Sequence, residues 1–228
     1  MIVRDLGGAW QVVMQTDHAD LSVAFARAWA TPLNPSLLVA TERHDDGWAA
    51  WEQAPRVDDG GKPVNFLDVD VRSHLAFYRA GIAAIAEQDP DAGLLVSMHG
   101  AGIYRQRYGL DTALGLTRAD EVKDDVEAFV AEQEAKFGGK PGDRWDDYEL
   151  LQLFDRLSLY FCMRDGEQAE LQGYTIEPVA PWHIRMSPYP FAKGAGGFSL
   201  VRRVIPKNGS TDVLGTATER VEITVDAG

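Results

Sequence analysis

Cysteine is almost absent: Cys162 is the single one in 228 residues, which excludes an intrachain disulfide. No apolar stretch approaches the roughly 18 residues of a membrane span. The opening Met1-Ile2-Val3-Arg4-Asp5 carries no basic region followed by an apolar run. These absences predict a cytoplasmic protein with no membrane partner. Basic charge is also short. Lys and Arg number 22 against 35 Asp and Glu, for a formal net charge of −13. The chain therefore offers no broad basic face to nucleic acid or to an anionic membrane. A small anionic substrate stays compatible, because it needs only a local positive site such as a metal ion. No glycine loop leads into Lys-Ser or Lys-Thr, since Gly194–Gly197 lies in a turn-rich tail. No Gly-x-Ser-x-Gly elbow supports a serine hydrolase, and no repeat or low-complexity segment interrupts the chain.

What is present suffices for a substantial core, with 45% hydrophobic and 10% aromatic residues. Ile2-Val3 and Trp10–Met14 read as hairpin strands around Gly7-Gly8. Asp17 is the expected N-cap of a helix bearing His18, Leu21, Phe25 and Ala28. A second helix runs from near Ser36 into His44-Asp45, and a third, at 68–88, carries His74. Pro90 restarts the chain, and Leu94-Leu95-Val96 leads to His99. Thr117 with Asp120 resembles a capping box opening an amphipathic helix. The segment 144–163 is apolar on nearly every face and is expected to be a central buried helix. Beyond Gly166, residues 171–179, 182–187, 198–205 and 219–225 have strand composition. The expected fold class is mainly α: a helical bundle over residues 1–165, with a small antiparallel β unit formed by the tail, 166–228. The N-terminal hairpin is a candidate extra member of that unit, and the tail is expected to pack on the same domain.

Histidine is scarce too, with five in the chain, yet His18, His44, His74 and His99 are strung with Asp45 and Asp155 along segments of helical pattern. Asp155 makes the strongest physical case. It lies between Phe154 and Leu157, where an unpaired carboxylate costs several kcal/mol or takes up a proton. It must have a partner, whether an arginine, a helix cap or a metal ion. Alone, His44-Asp45 reads first as the solvated end of a helix, beside Glu42, Arg43 and Asp46. His18 and His74, taken singly, read as surface or hydrogen-bonded residues. His99 precedes Gly100-Ala101-Gly102, where backbone can approach a ligand closely. Together the six offer imidazoles and carboxylates from separate helices, the makings of a metal site. That mixed set favours iron, manganese or zinc over magnesium or calcium. Arg105, Arg107 and Lys62 are loop cations, read first as surface charges and second as substrate grips. Asp46 either orients a histidine or is solvated. His183, in the β-rich tail, reads as structural, and Cys162 as a small buried residue.

The order H…HD…H…H…D resembles the histidine–aspartate (HD) domain superfamily of metal-dependent phosphohydrolases, over residues 15–163. Local wording is similar to a bacterial family of unknown function across nearly the whole chain. The matching pieces are His44-Asp45-Asp46-Gly47-Trp48, Leu94–Gly100 and the helix from Asp155 to Cys162. The first resemblance implies an HD-type bundle in which His18, His44, Asp45 and Asp155 hold one metal. His74 and His99 would help to hold a second, with Asp45 bridging the two at the catalytic centre. Paired ions about 3.5–4 Å apart can clamp a phosphoryl group and activate a water. The implied function is a metal-dependent phosphohydrolase acting on a small phosphate ester. The same ligand set also serves di-iron oxygenases in that superfamily, and a non-catalytic metal-containing sensing or binding module is the third reading. Substrate identity and oligomeric state stay open.

Overall fold

The computed structural model describes residues 1–110, 122–138, 142–164, 166–209 and 211–228. The N-terminal hairpin forms from β1 (Ile2–Asp5) and β2 (Ala9–Val13), turning at Gly7 with φ +82. Helix α1 (Gln15–Arg27) starts two residues earlier than Asp17, which lies in its first turn. Helix α2 (Pro35–Arg43) opens with Pro35 behind Asn34, whose side chain accepts from Ser36 N at 3.0 Å. It stops at His44, and the chain passes through Asp45 into a 3-10 turn, Asp46–Trp48, and the short α3 (Ala49–Glu52).

Helix α4 (Val71–Ala86) is capped by Asp70, which accepts from Ser73 N at 2.9 Å. Helix α5 (Pro90–Tyr104) is capped by Asp89. Helix α6 (Lys123–Lys136) follows; the capping box read at Thr117 and Asp120 lies outside the described residues. Helix α7 (Trp145–Met163) is buried without interruption from Leu151 to Cys162. It divides the core. Its Leu151 packs with Leu37, Leu75, Ile82, Leu95 and Phe129 of the surrounding helices. Its Phe154, Leu157 and Phe161 pack with Phe25 and with the strands' Ile184, Leu200 and Ile223.

The expectation of a mainly α bundle with a small antiparallel β unit is overturned. Strands β3 (Ala169–Leu171), β4 (Tyr174–Ala180), β5 (His183–Ser187), β6 (Gly197–Pro206) and β7 (Thr218–Ala227) combine with the hairpin. The result is one curled seven-stranded sheet, ordered β1-β2-β6-β7-β5-β4-β3. It is mixed: β7 inserts between β6 and β5, antiparallel to the first and parallel to the second. The hairpin joins through β2 and β6, with Trp10 opposite Ile205. Local strand composition was readable, but the pairing order depends on contacts between chain ends. The fold is a mixed α/β layer arrangement with α1 and α7 lying against the sheet. None of the helices among the described residues is long and apolar enough to cross a membrane.

One close approach positions the His44-Asp45 turn. A Cβ on Gly47 would run into the backbone carbonyl of Phe77, and one on Gly81 would lie 2.9 Å from Gly47 N. Both glycines let the 3-10 turn sit directly on α4. Gly47→Ala is expected to destabilise the fold by about 1–3 kcal/mol through overpacking against rigid backbone. A thermal melt checks this; an unchanged midpoint would show that the turn is free to shift.

Candidate metal centre

Five helices, with the turn that follows the second, deliver the six residues picked out in the sequence, and all six side chains are buried. His18 comes from the face of α1 that also buries Leu21, Ser22 and Phe25. His44 caps the end of α2, Asp45 follows in the turn, His74 is on α4, His99 on α5 and Asp155 on α7. His18, His44 and Asp155 form one close group, and His44, Asp45 and His99 form another. His74 belongs to neither. Its Nδ1 is 2.5 Å from the Tyr104 hydroxyl, and it lines the same cavity as His18, Asp45, His99 and Asp155.

The ring orientations of His18 and His44 are fixed from behind. Nδ1 of His44 lies 2.8 Å from the Thr41 carbonyl oxygen, which can only accept, so the ring proton is on Nδ1. Nδ1 of His18 lies 2.7 Å from Ser158 Oγ, and that hydroxyl gives its proton to the His18 carbonyl at 2.9 Å. The hydroxyl must therefore accept from His18 Nδ1. Nε2 of each ring is then the nitrogen that faces forward, the one a metal ion or a second proton would take. The two Nε2 atoms are 3.3 Å apart. Asp155 Oδ1 is 3.0 Å from one and 3.7 Å from the other, and Asp45 Oδ2 is 3.9 and 3.6 Å away.

Such a knot of lone pairs, buried and with no donor between them, repels itself unless a cation occupies it. The spacing suits a metal ion. Ligand bonds of about 2.0–2.2 Å in tetrahedral geometry give ligand–ligand edges of about 3.3–3.6 Å, within the observed spread. This buried His/Asp cluster can therefore hold a metal ion. In a chain without one, a proton does the work. Burial opposes charge on His44, but the Asp45 and Asp155 carboxylates outweigh it and bring its pKa up to about 9.

Of the partners foreseen for Asp155, the structure supplies an arginine, Arg107, and adds the His18 and His44 rings. Burial opposes its ionisation, yet Arg107 and the His18 and His44 rings hold its pKa well below the ordinary carboxylate value. Arg107 Nη1 donates to Asp155 Oδ2, and the guanidinium is buried, unlike a surface charge. Backbone conformation aims it there. Gln106, Arg107 and Tyr108 lie consecutively in the left-handed region, at φ 50, 48 and 53. That arrangement costs roughly 1–2 kcal/mol per residue; the buried ion pair and the bond from the Tyr108 hydroxyl to Glu134 at 3.0 Å offset it.

Several other partners carried little signal in the sequence. Tyr78, one turn beyond His74, donates to Asp45 Oδ1 at 2.9 Å. Burial and the nearby carboxylates push its pKa well above the usual value, so it stays a donor. Gln152 accepts from Arg107 Nη1 and stands 2.7 Å from His99 Nδ1. Gln152, Asp155 and Ser158 form a polar stripe at three-residue spacing on an otherwise apolar helix, and that stripe is the signal that was available. His99 is held neutral, its pKa well below the usual value because burial disfavours charge.

The remaining residues singled out earlier lie elsewhere. Asp46 pairs with Arg43 at 2.7 Å, Arg105 with Glu134 at 3.2 Å, and Lys62 with Asp68 at 3.2 Å. His183 pairs with Asp226 at 2.7 Å on the sheet. Cys162 is fully buried, and burial pushes its thiol far up, which leaves no nucleophile.

His18, Asp45, His74, His99 and Asp155 open on a cavity of about 40 Å³, room for about three water molecules. Its apolar lining comes from Phe66, Leu67, Ile103 and Leu159. Leu67 is exposed and marks the mouth, and the adjacent Phe66 is anchored by its N–H to the Met1 carbonyl at 2.8 Å.

A family profile described as "Protein of unknown function (DUF3891)" matches residues 1–207 of the chain. That description carries no activity and no link to the HD superfamily. No curated protein and no solved structure matches the chain significantly.

Proposed function

The chain belongs to the DUF3891 family of proteins of unknown function, and from that premise we propose an activity on the strength of the site itself: a metal-dependent phosphohydrolase acting on a small phosphate ester. The observation that carries this reading is the pair of forward-facing Nε2 atoms of His18 and His44, 3.3 Å apart, with Asp155 Oδ1 against them. His18, His44, Asp155 and the free Oδ2 of Asp45 would hold the ion. When bound, a transition-metal ion supplies Lewis acidity and brings the pKa of a water toward neutrality.

The chain's own residues prepare that chemistry. Thr41 and Ser158 fix the two rings, so no ordering cost is left for the moment of binding. Arg107 offsets one of the two buried carboxylates. With the His44 proton in place, the charges of Asp45, Asp155, Arg107 and His44 cancel, and a divalent ion that displaces this proton leaves the pocket net positive. Ion binding thus gives the pocket a charge that attracts a phosphoryl group. The small cavity admits the phosphoryl end of a substrate, while Phe66, Leu67 and Ile103 shield it from bulk water.

Metal analysis of the purified chain, followed by a panel of phosphate esters, tests the proposal. Phosphate release is expected with manganese, zinc or iron, lost on chelation and lost in His44→Ala. Oxygen uptake by the iron-loaded chain without phosphate release would replace the hydrolase with an oxygenase. Bound metal without turnover across the panel would leave a sensing or binding module.

A further inference from the structure

We infer that the site is built for one metal ion, with His99 beside it as a neutral hydrogen-bond donor to the bound anion rather than as a ligand. This rests on the metal-site reading above and deepens it. The argument starts at Arg107, whose guanidinium has donors only. Arg107 Nη1 donates both to Asp155 Oδ2 and to Gln152 Oε1. The oxygen of the Gln152 amide must therefore face Arg107, which settles the amide orientation. Its NH2 is left facing His99 Nδ1 at 2.7 Å. An NH2 group only donates, so Nδ1 accepts. A neutral imidazole carries a single ring proton, and here it sits on Nε2. That Nε2 is 3.4 Å from the Tyr78 oxygen, whose own proton goes to Asp45 Oδ1 at 2.9 Å.

Every bond in this relay runs the same way, from the guanidinium through Gln152, His99 and Tyr78 to the Asp45 carboxylate. Two consequences follow for metal binding. His99 has no lone pair to offer on the nitrogen nearest Asp45, although it stands close to His44 and Asp45. Asp45 has Oδ1 committed to Tyr78, so only Oδ2 faces the His18 and His44 nitrogens. A bridge through both oxygens would compete with the Tyr78 bond. The other residue expected to hold a second ion, His74, lies outside both close groups. His99 lines the cavity together with Arg107, so its Nε2–H can pass from the long contact with Tyr78 to an oxygen of a small oxyanion such as phosphate.

The full-length chain serves for the test. Nitrogen-15 NMR of the metal-free protein is expected to show His99 as the Nε2–H tautomer; the Nδ1–H tautomer overturns the inference. Gln152→Glu keeps an acceptor for Arg107 but offers Nδ1 an acceptor in place of a donor. It is expected to move the His99 proton to Nδ1, and an unmoved proton overturns the role given to the relay. Zinc titration of the wild-type chain is expected to saturate at one equivalent. Two equivalents overturn the one-ion site and leave the phosphohydrolase reading standing, whereas no bound zinc overturns both.

Discussion

Asp155→Asn is expected to lower the melting temperature by on the order of 10 °C and to abolish metal binding. Among the described residues the carboxylate is the one ion-pair partner of the buried Arg107 guanidinium, and it also packs against the His18 and His44 nitrogens. Removing one partner of a buried ion pair costs about 3–5 kcal/mol, because the other charge is left without compensation. For a chain of this length each kcal/mol shifts the midpoint by about 2–4 °C. Replacing both partners separates the two effects. The double variant Asp155→Leu with Arg107→Met is expected to recover most of the lost stability and none of the metal binding. A single Asp155→Asn variant that melts with the wild type would show that Arg107 relaxes outward to solvent, and the account of the site would fall with it.

Metal binding is expected to tighten about tenfold for each pH unit from 6.5 up to about 9. The His44 proton occupies the place of the ion, and its pKa in the folded chain is raised from 6.5 to about 9. Below that value each unit of pH raises the competing protonated fraction tenfold. The sign for the metal-free chain is opposite. A group whose folded pKa is raised binds its proton more tightly when folded, so its contribution to stability is complete below pH 6.5. That contribution declines as pH rises and is gone above about 9. Melting curves with excess chelator should therefore fall across this window, while those with saturating zinc should not. Titration in two buffers of different ionisation enthalpy should show release of about one proton per ion near pH 7. Affinity that is flat with pH would mean that His44 is not a ligand.

Much of the site was legible because its residues stand out against their surroundings. Asp155 lies in a helix whose every neighbour from Leu151 to Cys162 is buried, and four of five histidines fall on segments of helical pattern. Arg107 was not legible. Nothing local distinguishes it from Arg105, two residues before, which ends on the surface against Glu134. The left-handed turn at Gln106–Tyr108 makes the difference, and no glycine marks it. Gln152 and Ser158 are marked in the sequence only by their three-residue spacing from Asp155, which places all three on one face.

The sequence by itself determined the element types, the acidic and disulfide-free character, and the ligand chemistry of the cluster. Those are properties of composition and short-range periodicity, in which each residue reports on neighbours within a turn or two. Only the tertiary structure decided that β7 lies between β5 and β6, that the N-terminal hairpin closes onto the tail, and that Arg107 turns inward. It alone also decided which nitrogen of each histidine carries the proton. His18 and Asp155 are 137 residues apart in the chain, and Gln152 and His99 are 53 apart. Strand order and hydrogen-bond direction are set by what meets across such separations, where no local pattern in the chain records the partner.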